Sequence, residues 1–78
     1  MKRVRIYLRT ELFALTGADG HVPSGSAILT GQVREESRGG LVVSVDLYQD
    51  GRGRTLEGAP TTLFLPIGKI DHIQLLDE

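Results

Sequence analysis

The sequence predicts an all-β fold: a single domain over residues 1–78, built as a small, strongly bent, five-stranded barrel. Three observations carry this. Apolar residues recur at every second position in several segments, which is the period of a strand with one buried face. Stretches rich in Gly, Pro, Ser and Asp separate those segments, as turns should. No segment sustains a helical period. The longest candidate, residues 68–76, spaces Ile70, Ile73 and Leu76 helically but is too short and too β-branched to hold a helix. Closing such strands into a barrel removes exposed edges.

Residues 3–15 put Val4, Ile6, Leu8, Leu12 and Ala14 on one face, with Arg3, Arg5, Tyr7, Arg9, Glu11 and Phe13 on the other. This is one long strand, or two segments bent near Thr10 and Glu11. Residues 16–26 are dense in turn formers and contain Pro23, which cannot donate to a ladder, so a long loop is expected there. Residues 27–48 read as a hairpin, with arms at 27–34 and 41–48 and a charged, then glycine-bearing turn at 35–40. Gly31, in mid-strand, marks a bend or a close backbone approach. Residues 49–60 form a second loop, whose start can extend the hairpin arm briefly. Residues 61–65 are a strand with apolar residues on both faces, and residues 66–69 a turn or single 3₁₀ turn opened by Pro66. The final strand is 70–76, followed by a frayed Asp77 and Glu78. Leu29, Gly31, Val33, Leu41, Val43 and Val45 are expected to line the interior with Val4, Ile6, Leu8, Leu63, Leu65, Ile73 and Leu75.

A chain of 78 residues buries only about 60% of the surface its unfolded form exposes. The absence of Cys excludes disulfides and a Cys-based zinc site. Oligomerisation is the expected supplement, although a well-packed barrel suffices alone. The net charge of −1 gives no global cationic field for a polyanion and leaves only local patches. Met1-Lys2-Arg3 leads into alternating residues and not an apolar run, and nothing approaches the roughly 18 apolar residues of a membrane span. A cytoplasmic protein without membrane contact is expected. Seven Arg against two Lys, with no Asn, fits a thermophile or a GC-rich genome equally.

The segment Gly40-Leu41-Val42-Val43-Ser44-Val45-Asp46-Leu47-Tyr48-Gln49-Asp50 resembles the first Sm motif. Gly40, Val42, Val45, Asp46 and Tyr48 match in register. Residues 63–73 resemble the second motif loosely, so the likeness covers 27–76. It implies an Sm-like barrel in which Tyr48 stacks on a base and subunits associate by strand addition. The family's base-contacting Asn is Asp50 here, its Arg-Gly pair is Ile67-Gly68, and its N-terminal helix is replaced by a strand-like segment. A Src-homology-type barrel accommodates the same segments, with 16–26 as its long first loop and 66–69 as its 3₁₀ turn.

Chemistry has few footholds. Only His21 and His72 are present, and no nucleophile, zinc or phosphate-loop spacing occurs. Asp71 and His72, adjacent on a strand, should point to opposite faces. Glu35 and Glu36 belong to a solvated turn. No enzyme activity, cofactor or metal is expected. The outward stripe Arg3, Arg5, Tyr7 and Arg9 spaces its members by roughly 6–7 Å, close to the phosphate spacing of a single strand. With Arg52, Arg54 and Lys69 assisting and Tyr48 stacking, it would bind RNA or single-stranded nucleic acid. The plainer reading is a solvated strand face, neutralised by Glu35, Glu36 or Glu57. Phe64 and Leu76, apolar on the face opposite their neighbours, are candidates for a homo-oligomer interface. Two functions follow: a self-associating nucleic-acid-binding barrel, or a protein-interaction or scaffold module with no nucleic-acid role.

Overall fold

The computed structural model describes residues 2–76, so the frayed end expected at Asp77 and Glu78 lies outside the described residues. The alternation of the first segment becomes β1 (Arg3–Leu12), with Val4 and Ile6 buried and the arginines turned out. The expected loop at 16–26 is more ordered than its composition suggests. It holds a small hairpin, β2 (Leu15–Gly17) and β3 (Gly20–Val22), and Val22 enters the core. The central hairpin is β4 (Ser26–Ser37) and β5 (Gly40–Gln49). Its turn is shorter than the 35–40 expected, because Glu35, Glu36 and Ser37 still pair with Val42, Leu41 and Gly40. In the 49–60 loop, β6 (Thr55–Leu56) returns along Gln49 and Tyr48. Next come β7 (Thr61–Pro66), the expected 3₁₀ turn (Ile67–Lys69) and β8 (Ile70–Leu75).

Sheet order explains where the core sits. The strands run β6-β5-β4-β1-β8, with β7 also on β5, giving a six-stranded sheet beside the two-stranded β2–β3. The fold is all-β. No pairing joins β7 to β8 among the described residues, so the sheet is bent but open. The concave side holds Val4, Ile6, Val22, Leu29, Val43, Val45, Tyr48, Leu65 and Ile70. Ile6 lies directly across from Leu29, both fully buried. Burying side chains of that size stabilises by about 1.5–3 kcal/mol each. Leu75 departs from expectation: it faces Val4 across the ladder but sits on an edge strand, and it is 67% exposed.

Two irregularities shape the hairpin. Thr30 pairs with Leu47 and Gly31 with Val45, leaving Asp46 as an extra residue in β5. A bulge of this kind shifts the alternation by one. Val43 and Val45 point inward before it, and Tyr48, not Leu47, points inward after it. Tyr48, expected to stack on a base and so to face outward, is instead a core residue. Gly31 is where the backbones close up, since a Cβ there would collide with the Ser44 carbonyl oxygen. The close backbone approach, one of the two roles expected of this glycine, is the one present.

The ladders fix which backbone groups remain unpaired at the edges. Bonded pairs alternate along an antiparallel ladder. The bond from Ile67 N–H to Gly39 C=O (2.9 Å) sets that phase for β5 and β7. Leu63 and Leu65 thus address β5, while Thr62, Phe64 and Pro66 turn their backbone groups to the free edge. Pro66 sits at an outward position, where its missing N–H costs the ladder nothing.

Candidate functional site

The stripe on β1 is assembled as its spacing predicts, but most of it is engaged by neighbours. Arg3 makes a two-pronged ion pair with Asp46, at 2.9 and 3.0 Å. The bulge in β5 supplies that carboxylate, not Glu35, Glu36 or Glu57. Arg5 lies over the buried Thr30, its Nε 3.5 Å from the Thr30 hydroxyl, and an Nη donates to Gln74 Oε1 at 3.4 Å. Tyr7 donates to the same Gln74 oxygen at 3.2 Å. Its ring stacks on His72, with centroids 4.3 Å apart and planes within 9°. Arg9 is exposed at the strand's far end.

Other predicted residues have structural partners too. Tyr48 is 1% exposed, and its hydroxyl donates to Ala59 C=O at 2.9 Å. Burial raises its pKa above the ordinary tyrosine value, and the Asp46 charge adds to the rise. No face of that ring is open to a base. Asp50 accepts from the backbone N–H of Arg52 and of Arg54, each at 2.9 Å. Those bonds, the Arg54 one foremost, hold its carboxyl below the usual carboxylate range. The acid therefore folds the β5–β6 turn, as short polar side chains do. The side chains of Arg52 and Arg54 stand exposed on that turn. Lys69 reaches back from the 3₁₀ turn to the Thr10 hydroxyl and the Glu11 carbonyl.

Asp71 and His72 correct the opposite-faces expectation. In the β1–β8 ladder Tyr7 meets His72 while Leu8 meets Ile70, so Asp71 is an extra residue. That bulge lets Asp71 Oδ2 come within 2.7 Å of His72 Nδ1, across which the ring nitrogen donates. Among the described residues no group of three or more His, Cys, Asp or Glu is placed to hold a metal ion.

A second surface collects what the stripe lacks. Leu12 of β1, Phe13, Leu15 of β2 and Val22 of β3 face Leu63, Phe64, Leu65 and Pro66 of β7 across an apolar groove of about 190 Å³. On the other side of Leu15, which lines both, lies a wider hollow of about 380 Å³, bounded by Gly17, Asp19, Thr61 and Thr62. The groove runs beside the outer edge of β7, on the side away from β5. Phe13 is 96% exposed and Phe64 55% exposed. Leu76, the other candidate interface residue, is half-buried after β8, its N–H bonded to Arg3 C=O at 3.1 Å. The two candidates belong to different edges of the sheet. No helix among the described residues is long and apolar enough to cross a membrane.

No protein-family model, curated protein or solved structure matches this chain. The assignment of function therefore rests on the geometry. Sequence reasoning missed Phe13 as a site residue, although one signal was present. By alternation it falls on the outward face with Arg3, Arg5, Arg9 and Glu11, where a phenylalanine has neither a hydrogen bond to make nor a core to enter.

Proposed function

We propose that this protein is a non-enzymatic protein-interaction module of the small-barrel type, its sheet an opened, strongly bent barrel with Sm-like or Src-homology-like strand succession. The observation that carries the reading is the apolar groove beside β7, rimmed by solvent-facing Phe13, Leu15 and Phe64. Contiguous exposed apolar surface of this kind marks interaction sites in small soluble domains. The groove's partner is polypeptide, since the lining is apolar apart from Lys69, whose ammonium is held by the Thr10 hydroxyl and the Glu11 carbonyl, and one such cation is a poor match for a phosphate backbone.

The nucleic-acid reading has lost much of its support. Tyr48 is a core residue, Arg3 is held by Asp46, and one face of Tyr7 is covered by His72. Arg9, Arg52 and Arg54 remain as dispersed surface cations. Self-association remains an outcome of the test, because Phe64 belongs to the proposed site.

A pull-down from native lysate separates these readings. Wild type captures a protein that survives nuclease treatment, a Phe13→Ser/Phe64→Ser variant does not, and neither is retained on a polyanion resin. Capture abolished by nuclease, or indifferent to both substitutions, overturns the proposal.

A further inference from the structure

We infer that the groove beside β7 takes a single extended peptide, which adds as a strand to the free edge of β7 and sets apolar side chains against Leu12, Leu15, Leu63 and Leu65. This rests on the reading of the groove as a polypeptide site and goes beyond it by naming the bound conformation and its hydrogen bonds.

Two independent features meet at this place. One wall of the groove is apolar side chain, and the other is β7, whose outer edge pairs with no strand among the described residues and is met only at its Thr61 end by β3, through the His21 N–H on the Thr61 hydroxyl. The ladder phase turns the N–H groups of Thr62 and Phe64 outward, together with the C=O groups of Thr62, Phe64 and Pro66. Donors and acceptors alternating along one line, at a repeat of roughly 7 Å, are complementary to another extended backbone. A small molecule lacks that repeat, and a nucleic-acid backbone, whose phosphates repeat at a similar distance, presents acceptors only and no alternating N–H donors. The ring of Pro66 supplies no N–H, so pairing ends at the 3₁₀ turn.

The opposite wall selects a lone chain over the edge of a folded copy. Leu12, Phe13 and Leu15 stand across from β7 and leave a slot. A strand arriving as part of a second sheet brings a neighbouring strand with it, and that neighbour meets the Phe13 corner. Past the Thr61 end, Asp19 borders the adjoining hollow and has no ion-pair partner among the described residues. A ligand of alternating apolar residues with a Lys or Arg at the Asp19 end fits this arrangement.

The test selects linear random peptides, displayed on phage, against the full chain. One selected peptide is then synthesised with and without N-methylation at alternate amides. Binding to Thr62→Pro is compared with binding to Thr62→Ala. The proline removes an outward N–H that β5 does not use, and the alanine controls for the lost hydroxyl. The expected result is peptides of alternating pattern that bind Thr62→Ala like wild type and Thr62→Pro about three- to tenfold more weakly, the range of one lost hydrogen bond. One alternate set of N-methyl groups should abolish binding and the other should not, a readout that stands even if Thr62→Pro fails to fold. Saturable binding that ignores both changes overturns strand addition and leaves the protein-interaction reading in place. Failure to select any peptide sensitive to Phe13→Ser overturns both. Sedimentation showing a dimer that Thr62→Pro dissolves makes the occupant a second copy, and that also overturns the inference.

Discussion

Replacing Tyr48 separates a core residue from a base-stacking platform. The side chain is 1% exposed, packs 2.7 Å from where a Cβ on Gly58 would stand, and donates its hydroxyl to Ala59 C=O. Truncating a buried aromatic to alanine costs about 3–5 kcal/mol. The whole stability of a domain this size is about 4–12 kcal/mol, so Tyr48→Ala is expected to leave little folded protein. Tyr48→Phe is the finer probe. It removes one hydrogen bond, worth about 0.5–1.5 kcal/mol. The Ala59 carbonyl keeps the Thr61 hydroxyl at 2.8 Å, so no buried acceptor is orphaned and the lower half of that range is expected. With a urea slope of about 1 kcal/mol/M, the midpoint should fall by roughly 0.5–1 M with the slope unchanged. The raised pKa of Tyr48 adds a second signature. A group whose folded pKa lies above its unfolded one contributes stability that is full below the unfolded value and is lost as pH rises through the folded one. Wild type should therefore weaken on the alkaline side of the ordinary tyrosine pKa, and Tyr48→Phe should flatten that arm. A phenylalanine variant with an unchanged urea midpoint and an unchanged alkaline arm would refute the core assignment.

Gly31→Ala forces a Cβ into the Ser44 carbonyl oxygen, so a loss of about 1–3 kcal/mol or more is expected in chemical denaturation, as for other overpacked sites. Asp50→Ala should lower the thermal midpoint at neutral pH and narrow its gap to wild type as pH drops. A carboxylate with a depressed folded pKa contributes above its unfolded value and loses that contribution as pH falls through the folded one. Asp50→Asn should keep much of the turn, because its side-chain carbonyl still accepts. A double-mutant cycle on Arg3 and Asp46, both partly exposed, should give about 0.2–1 kcal/mol of coupling that shrinks with added salt.

Much of the fold was legible in the chain because period two leaves an unambiguous mark. Val4 and Ile6, Val43 and Val45, Leu63 and Leu65 all alternate, and all turn to the concave side. Pro66 announced the 3₁₀ turn that follows it. The site was legible only in fragments. Alternation set Phe13 among arginines, yet nothing local says that β7 runs past it, because the two are distant in sequence and meet only through the bend of the sheet.

The sequence by itself determined an all-β chain with a dominant hairpin, a glycine at the close backbone crossing and a basic stripe on one strand face. These are properties of neighbours along the chain, where periodicity and turn chemistry act. Tertiary structure alone decided which face each residue shows after a bulge, and which partner each charge meets. One extra residue at Asp46 sent Tyr48 into the core and gave Arg3 its carboxylate. One extra residue at Asp71 joined it to His72. A bulge is a mismatch in length between two strands, so it exists only once they are paired, and no single segment carries its signature.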